Sequence, residues 1–184
     1  MKIKHLLPLA LLVALPILNA CGDDDDNGND YTEWSNRNAS WLDSLADLRN
    51  PDGTAMYTRR TAPWDANSYI LIRYIGERHP ENLRPLYTST VDVRYRLSLC
   101  NGLAVDSSTN LTSPAPGIFR TSLNGNLISG WPIAVTDMHV GDSCEVIIPF
   151  GLGYGISGSG IIPPYSNLRF NIRLVDIPFY EVRP

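Results

Sequence analysis

The 184-residue sequence predicts an α+β fold, in which an antiparallel β-sheet wraps around one short helix and follows an N-terminal helical extension. Residues 91–99 and 168–174 alternate apolar and polar side chains, which is the period of a strand with one buried face. Between them, residues 127–138 can form one short helix, because Pro132 is tolerated in a first helical turn. The length suits one domain with a single core.

Residues 1–20 have the pattern of a secretion signal. Met1-Lys2-Ile3-Lys4 is basic, and the apolar run at residues 6–18 is too short to span a bilayer. The following Leu18-Asn19-Ala20-Cys21 resembles the cleavage site of bacterial lipoproteins, in which Cys21 would become the lipidated N-terminus. An ordinary secretory signal is the alternative. Both interpretations predict that the protein leaves the cytoplasm, and the first predicts a lipid anchor in the bacterial envelope, at the outer membrane or the cell surface.

Residues 21–30 read as an acidic, flexible tether, because Asp23–Asp26 repel one another among glycine and asparagine. Such an acidic run after the cysteine also resembles the surface-export signal of Bacteroidetes lipoproteins. Residues 31–184 contain 13 arginines and 14 acidic residues, a net charge of about −1. The sequence contains no stripe of basic residues that would indicate a nucleic-acid partner.

The extension, residues 31–67, contains one predicted amphipathic helix of about four turns, with Thr32 as its N-cap and residues 50–53 as its stop. Its apolar residues recur at helical spacing: Trp34, Trp41, Leu42, Leu45 and Leu48. This face would pack on the domain behind it, or, alternatively, form a homodimer through residues 33–49. Residues 51–67 are rich in turn formers and remain unassigned.

The main domain is assigned to residues 68–184. A strand is predicted at residues 69–75, ending at Gly76, and another at residues 144–149 after a turn at Val140-Gly141-Asp142. Short strands are expected between residue 99 and the helix. The apolar and polar periods therefore place most of this domain in the sheet.

The positions of the cysteines and histidines do not indicate a catalytic or metal site. If Cys21 carries lipid, Cys100 and Cys144 remain, either as a disulfide or as two buried thiols. The three histidines show no spacing typical of a catalytic base or a metal site. We therefore expect neither a metal nor a cofactor.

The glycine-rich stretch GLGYGISGSGIIPP, residues 151–164, contains a G-x-G-x-x-G pattern at residues 153–158. In a dinucleotide-binding turn a helix would follow the third glycine. Pro163 and Pro164 lack the N–H groups that a helix needs and favour extended backbone before them, so phosphate binding is not predicted.

Several motifs, in order, give this stretch another context. They are Val93-Arg94-Tyr95, residues 101–108, Gly130-Trp131, Met138-His139-Val140-Gly141-Asp142, Tyr154-Gly155, Ile161-Ile162-Pro163-Pro164 and Leu168-Arg169-Phe170. Over residues 69–177 the chain closely resembles the FKBP-type peptidyl-prolyl isomerases. The resemblance implies an FKBP-like sheet and makes residues 151–164 a flap between the last two strands. It also implies isomerisation of Xaa-Pro amides in proline-containing polypeptides, assisting the folding of secreted or envelope proteins.

The resemblance also implies a set of site residues. Those expected to act in catalysis are Asp106, Tyr154, Tyr95 and Phe170. Those expected to bind the substrate are Trp131 as the floor under the proline ring, the Ile128 backbone N–H, and Leu127, Val105 and Ile162. Tyr154 would donate its hydroxyl to the substrate carbonyl, and Asp106 would lie at the rim beside the twisting amide.

Three departures from the family pattern suggest an alternative. Val105 stands where an aromatic residue is usual, Ser159 lies near a position often held by histidine, and residues 109–119 form a longer loop. Either Ile118 or Phe119 could replace the aromatic wall expected there. The alternative function is a catalytically weak module that binds proline-containing segments or an envelope partner.

Overall fold

The computed structural model describes residues 30–180. Its helices are α1 (Thr32–Ala46) and α2 (Gly130–Val135), with one 3-10 turn at Phe150–Leu152. Its strands are β1 (Thr58–Ala62), β2 (Asp65–Tyr74), β3 (Thr90–Leu99), β4 (Ala104–Ser107), β5 (Phe119–Ser122), β6 (Ser143–Ile148) and β7 (Leu168–Asp176). All pairings are antiparallel, which confirms the predicted α+β class. Neither helix in this part of the chain has the length and apolar character that crossing a bilayer requires.

The seven strands form one sheet in the order β1-β2-β6-β7-β3-β4. Strand β3 pairs with β7 along one edge, and its other edge is shared by β5 and β4. The two strands with the clearest alternation in the sequence, β3 and β7, are therefore neighbours in the middle of the fold. Their apolar side chains share one face because the side-chain period of a strand is two.

This inner face wraps around α2, whose six residues are all buried. The helix is shorter than the predicted 127–138, because the backbone before Gly130 forms turns, with Trp131 N–H donating to the Ile128 carbonyl. Gly130 permits close packing, since a methyl group there would overlap the side chain of Ile148 on β6. Leu127 and Ile128 consequently lie outside the helix, next to its start.

The outer face carries a second, smaller apolar cluster under α1. Leu45 packs there with Tyr57, Leu71 and Ile147, and alternation along β2 and β6 places Leu71 and Ile147 opposite the main core. In the middle of α1, Asn38 is buried and accepts two hydrogen bonds from Asn167, both 2.8 Å long. The apolar face of α1 therefore packs on its own chain, as the first interpretation of the sequence predicted.

Two details of the extension differ from the prediction. The N-cap of α1 is Tyr31 and not Thr32, whose N–H instead donates a hydrogen bond to the Asp30 carboxylate at 2.8 Å. The unassigned region contains β1, which is the edge strand of the sheet and pairs with β2. Residues 31–67 therefore contribute a strand as well as a helix.

Cys100 and Cys144 are both free thiols. Cys144 is buried on the inner face, with its sulfur 3.5 Å from that of Met138, and burial raises the pKa of the Cys144 thiol to about 12. A thiol held neutral in an apolar setting is a poor nucleophile. Cys144 is thus part of the core packing.

Candidate active site

A cleft of about 540 Å³ opens on the inner face of the sheet, between the start of α2 and the segment after β6. We call it the aromatic cleft. Its lining residues are Tyr95, Leu97, Asp106, Phe119, Asn126, Leu127, Ile128, Ser129, Trp131, Gly153, Tyr154 and Phe170. Seven of the nine residues predicted for the site are therefore brought together here.

Four aromatic rings form the walls and floor of the aromatic cleft. The centroid of Trp131 lies 5.5 Å from that of Tyr95, 6.0 Å from Phe119 and 5.4 Å from Phe170. All three neighbours meet the indole nearly at right angles, which is a favourable edge-to-face arrangement. The indole is 3% exposed and is fixed as an apolar floor.

A polar pair lies at the edge of this apolar box. The Tyr95 hydroxyl donates to Asp106 Oδ2 at 2.7 Å, and the Ser107 N–H donates to Oδ1 at 2.7 Å. Burial, reinforced by the hydrogen bond to Asp106, raises the pKa of Tyr95. The Tyr95 hydroxyl therefore stays protonated at neutral pH and holds the carboxylate in one orientation.

Two further donors are available to a ligand. Burial, with a contribution from the charge of Asp106, raises the pKa of Tyr154, so its hydroxyl is also a donor at neutral pH. Neither this hydroxyl nor the N–H of Ile128 has a hydrogen-bond partner within residues 30–180. Both residues line the aromatic cleft, where these donors can bind a peptide carbonyl.

Val105 and Ile162 are not among the residues that line the aromatic cleft, although both pack with the core that contains Trp131 and Phe170. Val105 lies where the register of the β3–β4 pairing shifts, and it is half-buried against this core. Ile162 is 8% exposed and belongs to the main core. Its backbone exchanges two hydrogen bonds of 2.9 Å with Ser159, which closes the flap on itself.

Phe119 resolves the choice left open in the 109–119 loop. It lies opposite Val93 in the β3–β5 pairing and contacts the Tyr95 ring at 5.5 Å, whereas Ile118 is buried elsewhere. The longer loop therefore still supplies an aromatic wall.

Sequence reasoning also missed Leu97, although the alternation of β3 places it on the same face as Tyr95.

The glycine-rich stretch forms turns and carries Tyr154 into the site. Gly155 and Gly158 have positive φ angles of 65° and 67°, a region that favours glycine. A methyl group on Gly158 would also overlap the carbonyl oxygen of Ile162. No helix follows these glycines, so their role is in the backbone of the flap, as predicted.

No group of three or more His, Cys, Asp or Glu side chains in residues 30–180 is arranged to hold a metal ion. The aromatic cleft itself offers apolar walls for binding and three polar features for orientation, which are Tyr154, the Ile128 N–H and the Tyr95–Asp106 pair. Such a site suits an uncharged, ring-shaped group with a carbonyl beside it.

Comparison with known proteins agrees with this geometry. Residues 82–175, about half of the chain, match the family described as FKBP-type peptidyl-prolyl cis-trans isomerase. The chain is 40% identical over 98 residues to the FKBP-type 22 kDa peptidyl-prolyl cis-trans isomerase of Escherichia coli, covering 53% of this chain and 45% of that protein. It is 36% identical over 93 residues to FK506-binding protein 1 of Dictyostelium discoideum, covering 50% and 83%.

Solved structures give the same picture over a longer stretch. A peptidyl-prolyl cis-trans isomerase from Pseudomonas syringae superposes with a TM-score of 0.59 and 26% identity, covering 79% of this chain and 94% of that one. FkpA from Escherichia coli gives a TM-score of 0.63 at 22% identity, covering 81% and 61%, and supports the fold alone. The chain spans 45% or less of the first curated relatives it matches, which include a protein of Arabidopsis thaliana.

Proposed function

Because the chain belongs to the FKBP-type peptidyl-prolyl cis-trans isomerase family, we propose that its aromatic cleft isomerises Xaa-Pro amides of polypeptides. The observation that carries this proposal is the box of four rings around the Trp131 indole, with the Tyr95–Asp106 pair at its edge. A proline ring is apolar and compact, and it fits over such a floor.

The reaction breaks no bond, so the residues need only favour the twisted amide. Rotation is slow because the C–N bond has partial double-bond character, with a barrier of about 20 kcal/mol. In an apolar pocket the charge-separated form that keeps the amide planar is less favoured. The Tyr154 hydroxyl can hold the substrate carbonyl as the amide turns, while the Ile128 N–H anchors the neighbouring peptide.

The direct test is the cis-to-trans rate of a short Xaa-Pro peptide with the purified protein, measured by NMR exchange. We expect acceleration that falls by up to about tenfold in Tyr154→Phe and in Asp106→Ala, since each change removes one oriented polar group. Tyr87→Phe is the matched control, because Tyr87 is 56% exposed and lies outside the aromatic cleft. A folded protein that does not accelerate the reaction would instead support the weakly catalytic binding module.

We further propose that the protein is held at the bacterial envelope by lipid on Cys21 and assists the folding of secreted or envelope proteins. Residues 1–29 lie outside the described part of the structure, so this proposal is supported by the signal pattern in the sequence. Labelling of cells with radioactive palmitate should mark the wild type and not Cys21→Ala; equal labelling of both would contradict a lipid on Cys21. Protease treatment of intact cells tests surface exposure.

The homodimer through residues 33–49 stays a prediction, and the apolar surface of α1 that is available for it is small. Leu45 and Asn38 are buried against the chain's own sheet and flap, leaving mainly polar residues of α1 exposed. A monomer in sedimentation experiments would remove the prediction.

A further inference from the structure

Three arginines form a positively charged patch on the outer face of the sheet, which we call the basic face. Arg94 and Arg96 are exposed and alternate with the inward residues of β3. Arg173 is exposed on β7, directly across from Arg94 in the strand pairing. None of the three forms an ion pair or a side-chain hydrogen bond with a residue in the described range 30–180.

Other arginines of the fold have carboxylate partners. Arg120 pairs with Asp92 at 2.7 Å, and Arg73 pairs with Glu145 at 3.2 Å. Glu145 lies on the same outer face, two strands from β3, but it also accepts a hydrogen bond from the buried Tyr57 hydroxyl and approaches Arg169. Like charges directly opposite each other in a sheet are destabilising, so the Arg94–Arg173 pair favours an anion from outside the domain.

The basic face is continuous with the aromatic cleft. Arg94, Arg96 and Arg173 line a shallow cavity of about 490 Å³, and Arg96 with Thr109 also lines a neighbouring groove of about 530 Å³. That groove shares Asp106 with the aromatic cleft. A path therefore runs from the site of the proline ring, past Asp106 and around β4, onto the basic face.

We propose that the basic face binds an acidic segment of the same polypeptide whose proline occupies the aromatic cleft. An extended chain advances about 3.3 Å per residue, so a segment a few residues long can follow this path. Guanidinium groups match aspartate and glutamate carboxylates in geometry and charge. The substrate class is therefore Xaa-Pro segments with several acidic residues nearby. Because Asp106 carries a negative charge at the junction, these residues lie a few positions from the proline and not beside it.

This inference rests on the proposed isomerase function, and paired peptides separate the two. Both peptides share one Xaa-Pro core, followed after three neutral residues by four glutamates in one and four glutamines in the other. We expect the ratio of kcat/KM for the glutamate peptide to that for the glutamine peptide to exceed about five at low salt, and to fall toward one at high salt. The Arg94→Gln/Arg96→Gln/Arg173→Gln variant should bring the ratio to about one.

Arg59→Gln is the matched control, because Arg59 lies on β1, at the opposite edge of the sheet, with its guanidinium over the Tyr69 ring. It removes the same kind of charge and should keep the wild-type ratio. Equal rates on both peptides with the wild-type protein would overturn the inference while leaving the isomerase function intact. The inference would also be overturned if Arg59→Gln lowered the ratio as much as the triple change.

If neither peptide were accelerated, the proposed function would fail, and fluorescence anisotropy would still decide whether the protein prefers the glutamate peptide. Binding to vesicles of phosphatidylglycerol tests whether the basic face instead binds an anionic membrane surface. Vesicle binding that requires the three arginines, without any preference between the peptides, would assign the basic face to an anionic membrane surface and overturn the inference.

Discussion

Replacing Trp131 by alanine is expected to lower the free energy of unfolding by about 3–5 kcal/mol and to reduce isomerisation about ten- to hundredfold. The indole is 3% exposed and packs against Tyr95, Phe119 and Phe170, so its removal leaves a cavity that these rings cannot close. It also removes the floor on which a proline ring would be buried. Urea unfolding and the peptide exchange rate measure the two effects.

Trp64→Ala is the matched control, because the Trp64 side chain is 57% exposed in the turn between β1 and β2. It should change the free energy of unfolding by less than about 0.5 kcal/mol and leave the rate unchanged. Trp131→Phe keeps a ring as the floor and should retain more activity than Trp131→Ala at equal folded fraction. An alanine variant that is folded and isomerises at the wild-type rate would show that the aromatic cleft is not the active site.

The central strands could be predicted because each has one buried face. In β3 and β7 nearly every second residue is a large apolar side chain, and this period is visible without knowledge of the partner strands. Strand β1 gives no such signal, since only Ala62 of its five residues is buried. Its conformation is determined by pairing with β2, which is a tertiary contact.

The same physics explains where the site prediction succeeded and failed. Tyr95, Trp131, Tyr154 and Phe170 belong to motifs whose order along the chain carries the resemblance, and all four line the aromatic cleft. Val105 lies at an irregularity of the β3–β4 register and packs against the main core without lining the cleft, and the sequence does not reveal that irregularity. The choice of Phe119 over Ile118 depends on the register of β5 against β3, which the loop sequence does not reveal.

Replacing Asp142 by asparagine is expected to lower the free energy of unfolding at pH 7 by about 3 kcal/mol. The change removes the buried negative charge of the Arg78–Asp142 ion pair, in which the arginine is partly exposed. The Asp142 carboxylate is fully buried and accepts hydrogen bonds from Arg78 Nε at 3.0 Å and from the His79 and His139 N–H groups at 2.8 and 2.9 Å. An amide offers one acceptor oxygen, so at least one of these donors would face an NH₂ group.

The lowered pKa of Asp142 determines how its contribution to stability changes with pH. Burial alone would raise the pKa of Asp142, but the backbone N–H groups of His139 and His79, together with the charge of Arg78, outweigh it and lower the pKa below 3.8. The carboxylate therefore stabilises the fold above about pH 4, and this contribution is lost as the pH falls through the lowered value. Wild type and Asp142→Asn should thus differ most at pH 5–7 and converge toward pH 2.

Asp43→Asn, an exposed change on α1, is the control and should follow the wild type across the whole pH range. A constant difference between wild type and Asp142→Asn from pH 7 to pH 2 would contradict an ionised Asp142, because it would reflect only packing or neutral hydrogen bonds. Convergence would show that one buried charge joins residues 78–79 to the turn after α2. That turn follows α2, whose Trp131 forms the floor of the aromatic cleft, so Asp142→Asn should also lower the isomerisation rate under conditions in which the variant begins to unfold.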